Sequence, residues 1–228
     1  ETLAIRVKEM LLTNHNRPGK KIVKLKGIVI HWTANTNKGA DAIANRNYFN
    51  NTKNSVSAHY IVDDKNIIRC IPDGEIAYHV GAKKYAAAGL KIKEGNYSPN
   101  YFLIGIEMCV NSDGDWDKTY QNTVELAAYL LKKYNLNIDS MYRHHDITGK
   151  DCPKIMLKTK DWQAFKKRVA HYMDEIKLLI NGELVVIDKY VKNNKIYVPV
   201  REVFRILGAD IYWEQHKKVA NIKLYSSL

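Results

Sequence analysis

Residues 100–110 read NYFLIGIEMCV, an almost continuous apolar run that carries one charged side chain, Glu107. A run of this kind, without regular polar alternation, is typical of a central strand that is buried on both faces of a sheet. A second run, KGIVIHW at residues 26–32, predicts another apolar strand that ends at His31. The sequence thus places two groups able to do chemistry on strands that should be buried.

The segments around these strands predict a hairpin and helices. SAHYIV at residues 57–62 and NIIRCI at residues 66–71 enclose a short charged turn and predict the hairpin. Residues 41–50 predict a helix that packs Ile43, Tyr48 and Phe49. Residues 118–134 predict a second helix, because four apolar residues recur at i, i+3, i+4 and i+7: Val124, Ala127, Ala128 and Leu131. This alternation predicts an α/β fold with a mixed central β-sheet flanked by helices.

The last quarter of the chain has a different pattern, with short apolar runs separated by turn signals. Asn181-Gly182 lies between IKLLI and ELVVI and predicts a hairpin, and Asn193-Asn194 predicts another turn. REVFRIL reads as a short helix that ends before Gly208. We therefore predict two domains, residues 1–175 and 176–228, joined at the end of an amphipathic helix that begins near Asp161. The second should be small and β-rich, with a core of Leu184, Val186, Val198, Phe204, Leu207 and Trp213.

Composition limits the classes of protein that fit. The chain has 228 residues, 46% of them apolar, which is enough for a folded core and excludes disordered and fibrous classes. A net charge of +12 favours polyanionic partners. Three cysteines are too few for a disulfide framework and are typical of a protein made in a reducing cytosol. We find no run long enough for a transmembrane helix and no signal peptide at the N-terminus, so no membrane partner is expected.

Residues 143–153, RHHDITGKDCP, combine imidazole and thiol side chains in a glycine-containing loop. Thiolate and imidazole are suitable ligands for Zn²⁺, and His31 would supply a third ligand. Three protein ligands with one open position are the pattern of a catalytic zinc site rather than a closed structural one. The alternative is a polar loop with a buried free cysteine, and spacing leaves open whether His144 or His145 is the ligand.

Glu107 is the second feature that indicates chemistry. A carboxylate in a buried strand is costly unless it is paired with a charge or lies near a metal. Beside a metal, it would be a natural general base. The alternative is a structural ion pair.

Several segments together resemble the zinc-dependent N-acetylmuramoyl-L-alanine amidases of phage endolysins and bacterial autolysins, whose fold also occurs in peptidoglycan recognition proteins. The segments are GIVIHWTAN, SAHYIV, AYHVG, IGIEMCV and RHHDITGKDCP, and the resemblance covers roughly residues 22–170. It implies zinc ligands at His31, His144 and Cys152, a catalytic acid or base at Glu107 and an oxyanion-stabilising lysine at Lys150.

The same resemblance places His79, in AYHVG, at the substrate groove, although a hydrogen-bonded structural histidine is an alternative. His59 more simply supports the sheet. Some relatives have a catalytic tyrosine where this chain has Ala58, and they lack the strand glutamate. The presence of Glu107 therefore favours the glutamate-dependent version of the mechanism.

The resemblance implies cleavage of the bond between N-acetylmuramic acid and L-alanine in peptidoglycan. Residues 180–225 resemble the copper amine oxidase N-terminal-like domain, without implying copper. We expect this part to bind anionic cell-wall polymers or to form a homodimer. The expected protein is made in the bacterial cytoplasm and acts at the cell wall after release. The alternatives are a non-catalytic peptidoglycan-binding protein and, less favoured because the lysines are scattered, a nucleic-acid-binding protein.

Overall fold

The structure is a computed structural model that describes residues 5–175 and 177–225. Its strands are β1 (Ile5–Glu9), β2 (Gly27–Trp32), β3 (Tyr60–Val62), β4 (Ile67–Arg69), β5 (Leu103–Met108), β6 (Met141–Arg143), β7 (Leu178–Ile180), β8 (Glu183–Val186), β9 (Tyr190–Lys192), β10 (Lys195–Tyr197), β11 (Ala209–Glu214) and β12 (Val219–Leu224). Its helices are α1 (Ala42–Asn51), α2 (Ala87–Ile92), α3 (Trp116–Lys133), α4 (His144–Thr148), α5 (Thr159–Met173) and α6 (Val200–Ile206), with three short 3₁₀ helices.

The chain forms two compact units. Of the described residues, the larger contains residues 7–175, and the smaller combines residues 5–6 with residues 177–225. Among the described residues, no helix combines the length and the apolar character needed to cross a bilayer.

The larger unit is built on a mixed sheet with strand order β6-β2-β5-β3-β4-β1. Strand β5 lies in its middle and pairs in parallel with both β2 and β3, as the apolar run at 100–110 predicts. Strands β3 and β4 form the predicted antiparallel hairpin. Strands β6, β2 and β5 are parallel neighbours, so their carboxyl ends meet at one edge of the sheet.

Helix α3 packs on this sheet through the predicted apolar stripe. Its members Val124, Ala127, Ala128 and Leu131 are fully buried, and the helix begins after an Asp115 side chain that accepts a hydrogen bond from the Lys118 backbone N–H. An aspartate at this position satisfies an otherwise unpaired backbone donor and so fixes the start of the helix.

Helix α1 corrects one prediction about packing. Phe49 is buried as expected, but Ile43 is 37% exposed and Tyr48 is 52% exposed. The inner face is completed instead by polar side chains that bond to backbone: the Asn45 amide donates to the Ala40 carbonyl, and the Arg46 guanidinium donates to the Met10 carbonyl. An apolar pattern cannot indicate an inner face made of satisfied polar groups.

The smaller unit contains the predicted hairpin β7–β8, and Arg6 pairs with Val185 of β8. Strands β9–β10 and β11–β12 form two further hairpins, and α6 lies between them in sequence. Its buried cluster consists of Val185 and Ile187, with five partly buried neighbours: Leu178, Ile180, Val198, Val203 and Ile206.

The predicted core of this unit is only partly right. Leu184 and Val186 are buried, but Leu207 and Trp213 are each 50% exposed. A unit of this size has too little interior to enclose every large apolar side chain that its strands and helix carry.

Candidate metal centre and active site

Three adjacent parallel strands bring the candidate site residues to one edge of the sheet. His31 lies near the end of β2 and is directly opposite Glu107 of β5 in the strand register. His144 begins helix α4 immediately after β6, on the other side of β2. Ligands and reacting groups commonly gather at the carboxyl ends of parallel strands, because loops and helix starts converge there.

The loop after α4 adds a thiol to this edge. Gly149 ends the helix with a φ of 80°, a left-handed conformation that suits glycine, and lets the chain turn back. The His145 backbone N–H then donates to the Cys152 carbonyl at 2.9 Å. The segment predicted as a loop thus contains a short helix, and this helix carries the first histidine of the pair inward.

His31, His144 and Cys152 form a compact, buried cluster of potential metal ligands. One donor atom from each lies within 4.8 Å of the others. The Nδ1 atoms of His31 and His144 are 3.1 Å apart, and the Cys152 Sγ lies 3.8 Å from His31 Nδ1. The structure therefore brings together the three residues that the sequence assigned to a metal.

The spacing of these donor atoms fits a zinc ion. With tetrahedral bonds of about 2.0–2.1 Å to nitrogen and about 2.3 Å to sulfur, ligand atoms are separated by about 3.3–3.6 Å. The observed nitrogen–nitrogen and nitrogen–sulfur distances bracket this range. Two imidazoles and one thiol are also a donor set that zinc favours.

Burial sets the protonation of the ligands. It lowers the pKa of His31 well below its ordinary value, with further lowering by the neighbouring His79 and His144. It lowers the pKa of His144 to about 4, with help from the charge of Lys150. Both imidazoles are therefore neutral at pH 7, as metal binding requires. Burial also raises the pKa of the Cys152 thiol to about 12, so a thiolate at this position needs a nearby cation.

Glu107 presents a carboxylate to the same cluster. Its Oε1 lies 4.0 Å from His31 Nδ1, and its side chain is 14% exposed. Its Oε2 is buried and has no hydrogen-bond partner among the described residues. Burial raises the pKa of Glu107 to about 8, against a smaller lowering by Lys150. No lysine or arginine forms an ion pair with Glu107 among the described residues, so the structural ion-pair alternative has no partner here.

Lys150 and His145 lie at the outer side of the cluster. The positive charge of Lys150 is close enough to lower the pKa values of His31, His144 and Glu107. The His145 side chain is 41% exposed, and its Nδ1 donates to the Lys150 carbonyl at 3.2 Å, so it is turned away from the ligand atoms. Between the two adjacent histidines, the geometry selects His144 for the cluster.

His79 is buried beside His31. It is 6% exposed, and its Nδ1 lies 2.9 Å from His31 Nε2. Its Nε2 donates to the Leu103 carbonyl at 3.2 Å. These contacts agree with the hydrogen-bonded alternative, and the role of His79 in the substrate groove stays a prediction. His59 is likewise buried, and its Nε2 donates to the Glu75 carbonyl at 2.8 Å.

A sequence profile described as N-acetylmuramoyl-L-alanine amidase matches residues 20–155, which contain the whole cluster. The chain belongs to this amidase family. A second profile, described as copper amine oxidase N-terminal domain, matches residues 179–227.

Relatives and solved structures agree with membership in the amidase family. A probable N-acetylmuramoyl-L-alanine amidase of Bacillus licheniformis is 40% identical over 69% of this chain and 45% of its own length. The amidase XlyA of Bacillus subtilis (strain 168) is 37% identical over 67% of this chain and 46% of its own length. The solved catalytic domain of XlyA matches with a TM-score of 0.60 at 34% identity, over 72% of this chain and 99% of that domain. The chain spans about half the length of the curated relatives it matches.

A cavity of about 240 Å³ lies at the carboxyl end of β5 in this amidase-family unit. Its lining includes Cys109, two residues after Glu107, and Ile155, three residues after Cys152. Trp116 also lines it and is 38% exposed. The sequence gives no signal for Trp116, because an aromatic at the start of an amphipathic helix is usually a packing residue.

Proposed function

We propose that this protein is a zinc-dependent N-acetylmuramoyl-L-alanine amidase. It hydrolyses the amide bond between the lactyl group of N-acetylmuramic acid and L-alanine in peptidoglycan. One observation carries the proposal: a buried cluster of His31, His144 and Cys152 lies beside a carboxylate, Glu107, that forms no ion pair with a lysine or arginine of the described residues. The membership in the amidase family supports the choice of bond.

His31, His144 and Cys152 would hold the zinc ion and leave one position open. When bound, zinc supplies a Lewis acid that polarises the substrate carbonyl and lowers the pKa of water. The burial of the three side chains limits the access of bulk water to their donor atoms.

Glu107 moves the proton in the proposed reaction. Its Oε2, which has no hydrogen-bond partner in the part of the chain that the structure describes, accepts a proton from the attacking water and then delivers it to the nitrogen of the departing L-alanine. The pKa of about 8 is that of the metal-free carboxyl, which is mostly protonated at pH 7. The positive charge of a bound zinc ion would lower this pKa, so that a carboxylate is present to accept the proton and a carboxylic acid is then present to donate it. The positive charge of Lys150 stabilises the oxyanion that develops on the carbonyl oxygen.

The smaller unit has a separate proposed role, which is to bind anionic polymers of the cell wall. From residue 177 onward it contains nine Lys and Arg against five Asp and Glu, and it exposes aromatic side chains such as Tyr190, Tyr212 and Trp213. Formation of a homodimer is the competing role. In this proposal the enzyme acts at the cell wall as an endolysin or an autolysin.

The amidase proposal is tested with purified cell walls and protein of known metal content. Hydrolysis should release free α-amino groups of L-alanine without new reducing sugar ends, and about one zinc should be bound per chain. The matched variants are His144→Ala and His145→Ala, because one histidine lies in the cluster and its neighbour in sequence does not. We expect His144→Ala and Cys152→Ser to lose zinc and lysis, and His145→Ala to keep both.

Three results would contradict the proposal in different ways. New reducing ends would indicate a glycosidase. A zinc-loaded protein that binds walls without releasing amino groups would indicate the non-catalytic alternative. Loss of metal in His145→Ala but not in His144→Ala would show that the wrong histidine has been assigned.

A further inference from the structure

A continuous line of hydrogen bonds leads from the backbone of β5 to the cluster. The Leu103 carbonyl lies 3.2 Å from His79 Nε2, and His79 Nδ1 lies 2.9 Å from His31 Nε2. The other nitrogen of His31, Nδ1, faces His144 and Cys152. Two buried imidazoles therefore connect a fixed backbone acceptor to a candidate metal ligand.

The carbonyl at the start of this line determines which nitrogen carries each proton. A carbonyl oxygen only accepts, so the Leu103 contact requires the proton of a neutral His79 to be on Nε2. His79 Nδ1 is then an acceptor, and the proton of His31 must be on its Nε2. This leaves a lone pair on His31 Nδ1, which is the atom directed at the other two ligands.

His79 is itself held firmly. Its backbone N–H donates to the Asn100 side-chain oxygen at 3.3 Å, and the Val80 N–H donates to the same oxygen at 3.0 Å. The ring lies against Gly105, where a Cβ atom would come within 2.6 Å of His79 Nδ1. Because Gly105 has no side chain, there is room for the His79 ring at this place.

We propose that His79 is a positioning residue for the metal centre: its hydrogen bond fixes the tautomer and the ring orientation of His31, so that the Nδ1 lone pair faces the ion. This inference rests on the zinc site proposed above. Outer hydrogen-bond partners of ligating histidines raise metal affinity, and their loss typically lowers it about 10- to 100-fold.

His59 provides a control because it is an equally buried histidine that takes no part in this line. Its Nδ1 accepts from the Gly105 N–H at 3.0 Å and its Nε2 donates to the Glu75 carbonyl. It touches His79 only through ring contact, with centroids 5.7 Å apart. Loss of His59 should reduce stability without changing the tautomer of His31.

The first measurement is made on the unaltered full chain after removal of metal. Two-bond ¹H–¹⁵N correlation NMR reports which imidazole nitrogen carries the proton. We expect His31 and His79 both to be protonated on Nε2. A His31 protonated on Nδ1 would overturn the proposal without any substitution, so the test does not depend on the folding of a variant.

The second measurement is zinc affinity, determined by competition with a chromophoric chelator. His79→Phe keeps a ring but removes the acceptor, and we expect zinc affinity to fall about 10- to 100-fold. His79→Asn places an amide oxygen near the former Nδ1, so it should restore affinity to within a few-fold and keep His31 in one tautomer. His59→Phe should bind zinc as the unaltered chain does.

Two failures are distinguishable. If the unaltered chain binds no zinc, the proposed function fails together with its metal site. If the unaltered chain binds zinc and a folded His79→Phe binds it equally tightly, only the positioning role of His79 is wrong. Equal losses in His79→Phe and His79→Asn would also overturn it, because the acceptor would then not be what matters.

Discussion

The Oε2 atom of Glu107 is buried and has no hydrogen-bond partner among the described residues. Burying a carboxylate oxygen without a hydrogen-bond partner costs free energy of folding, and such a group in a folded protein calls for an explanation such as a catalytic role. We expect Glu107→Gln to keep the fold and the zinc content but to lower the rate of amide hydrolysis by about 100-fold or more, the size of a general-base effect. The measurements are metal analysis and release of alanine amino groups.

If the Glu107→Gln protein remains fully active, Glu107 does not transfer a proton in the reaction and its role is structural. The isosteric amide is the suitable change, because it keeps the volume of the side chain and removes only its capacity to take and return a proton. Lost zinc in this variant would instead place the carboxylate among the determinants of metal binding.

The raised pKa of Glu107 also predicts how the stability of the metal-free protein depends on pH. Its pKa is 4.5 ordinarily and about 8 in the folded state, so between these values the folded protein binds the proton that the unfolded chain has lost. The contribution of this carboxyl to the free energy of unfolding is therefore largest below pH 4.5, and it decreases as the pH rises toward about 8.

This effect is isolated by comparing two proteins, since buried histidines titrate in the same range. Urea unfolding measures the free energy of unfolding of the metal-free unaltered protein and of metal-free Glu107→Gln. From about pH 5 to about pH 8, this free energy should decrease in the unaltered protein relative to the variant. A difference that stays constant over this interval would show that the folded carboxyl titrates normally.

The sequence alone could determine part of the candidate site. The spacing of RHHDITGKDCP and the strand-end position of His31 were enough to propose the cluster. They could not decide between His144 and His145, because that depends on how helix α4 starts directly after β6. Nor could they indicate the contact between His79 and His31, which joins residues 48 positions apart through tertiary packing.

At the scale of elements, strand β5 has two functions, since it carries Glu107 and makes room for His79. In Gly105→Ala, the new Cβ would lie 2.6 Å from His79 Nδ1. We expect the folded state to lose about 1–3 kcal/mol, the usual cost of overpacking, and zinc affinity to fall because the ring must move. Chemical unfolding and chelator competition measure the two effects.

Gly74→Ala is the matched control for this substitution. A Cβ at Gly74 would meet no atom within 4 Å, so stability and zinc affinity should both be nearly unchanged. If Gly105→Ala behaves as Gly74→Ala does, the strand has more freedom than its contacts indicate, and the support for His79 is less rigid than proposed.

Elements with strong local signals were predicted well, and those that depend on distant partners were not. The apolar stripe of α3 and the runs of β2 and β5 have enough apolar residues to specify their burial. Helix α1 does not, because Arg46 on its inner face is satisfied by backbone carbonyls near residue 10. Strand β1 was not predicted at all, since its pairing with β4 joins Val7 to Ile67 across the chain.

In the whole molecule, the candidate metal centre and the basic residues from 177 onward belong to different units. His31, Glu107, His144 and Cys152 all lie in the unit that begins at Val7, and the profile of the amidase family ends at residue 155. The solved catalytic domain of XlyA, at 34% identity, covers 72% of this chain. Chemistry and attachment to the wall should therefore be separable.

A chain that stops after Glu175 should keep zinc and cleave soluble muramoyl-peptide fragments at close to the rate of the full chain. Its co-sedimentation with intact cell walls should fall, and the binding that the full chain shows should weaken as salt is added, because attraction between a basic unit and anionic polymers is screened.

The full chain with Lys192→Ser and Lys195→Ser is the control, since it keeps the unit but removes two exposed charges of one hairpin. If the shortened chain pellets with walls as well as the full chain does, the unit does not target the wall. A change from dimer to monomer on truncation would then assign it to assembly.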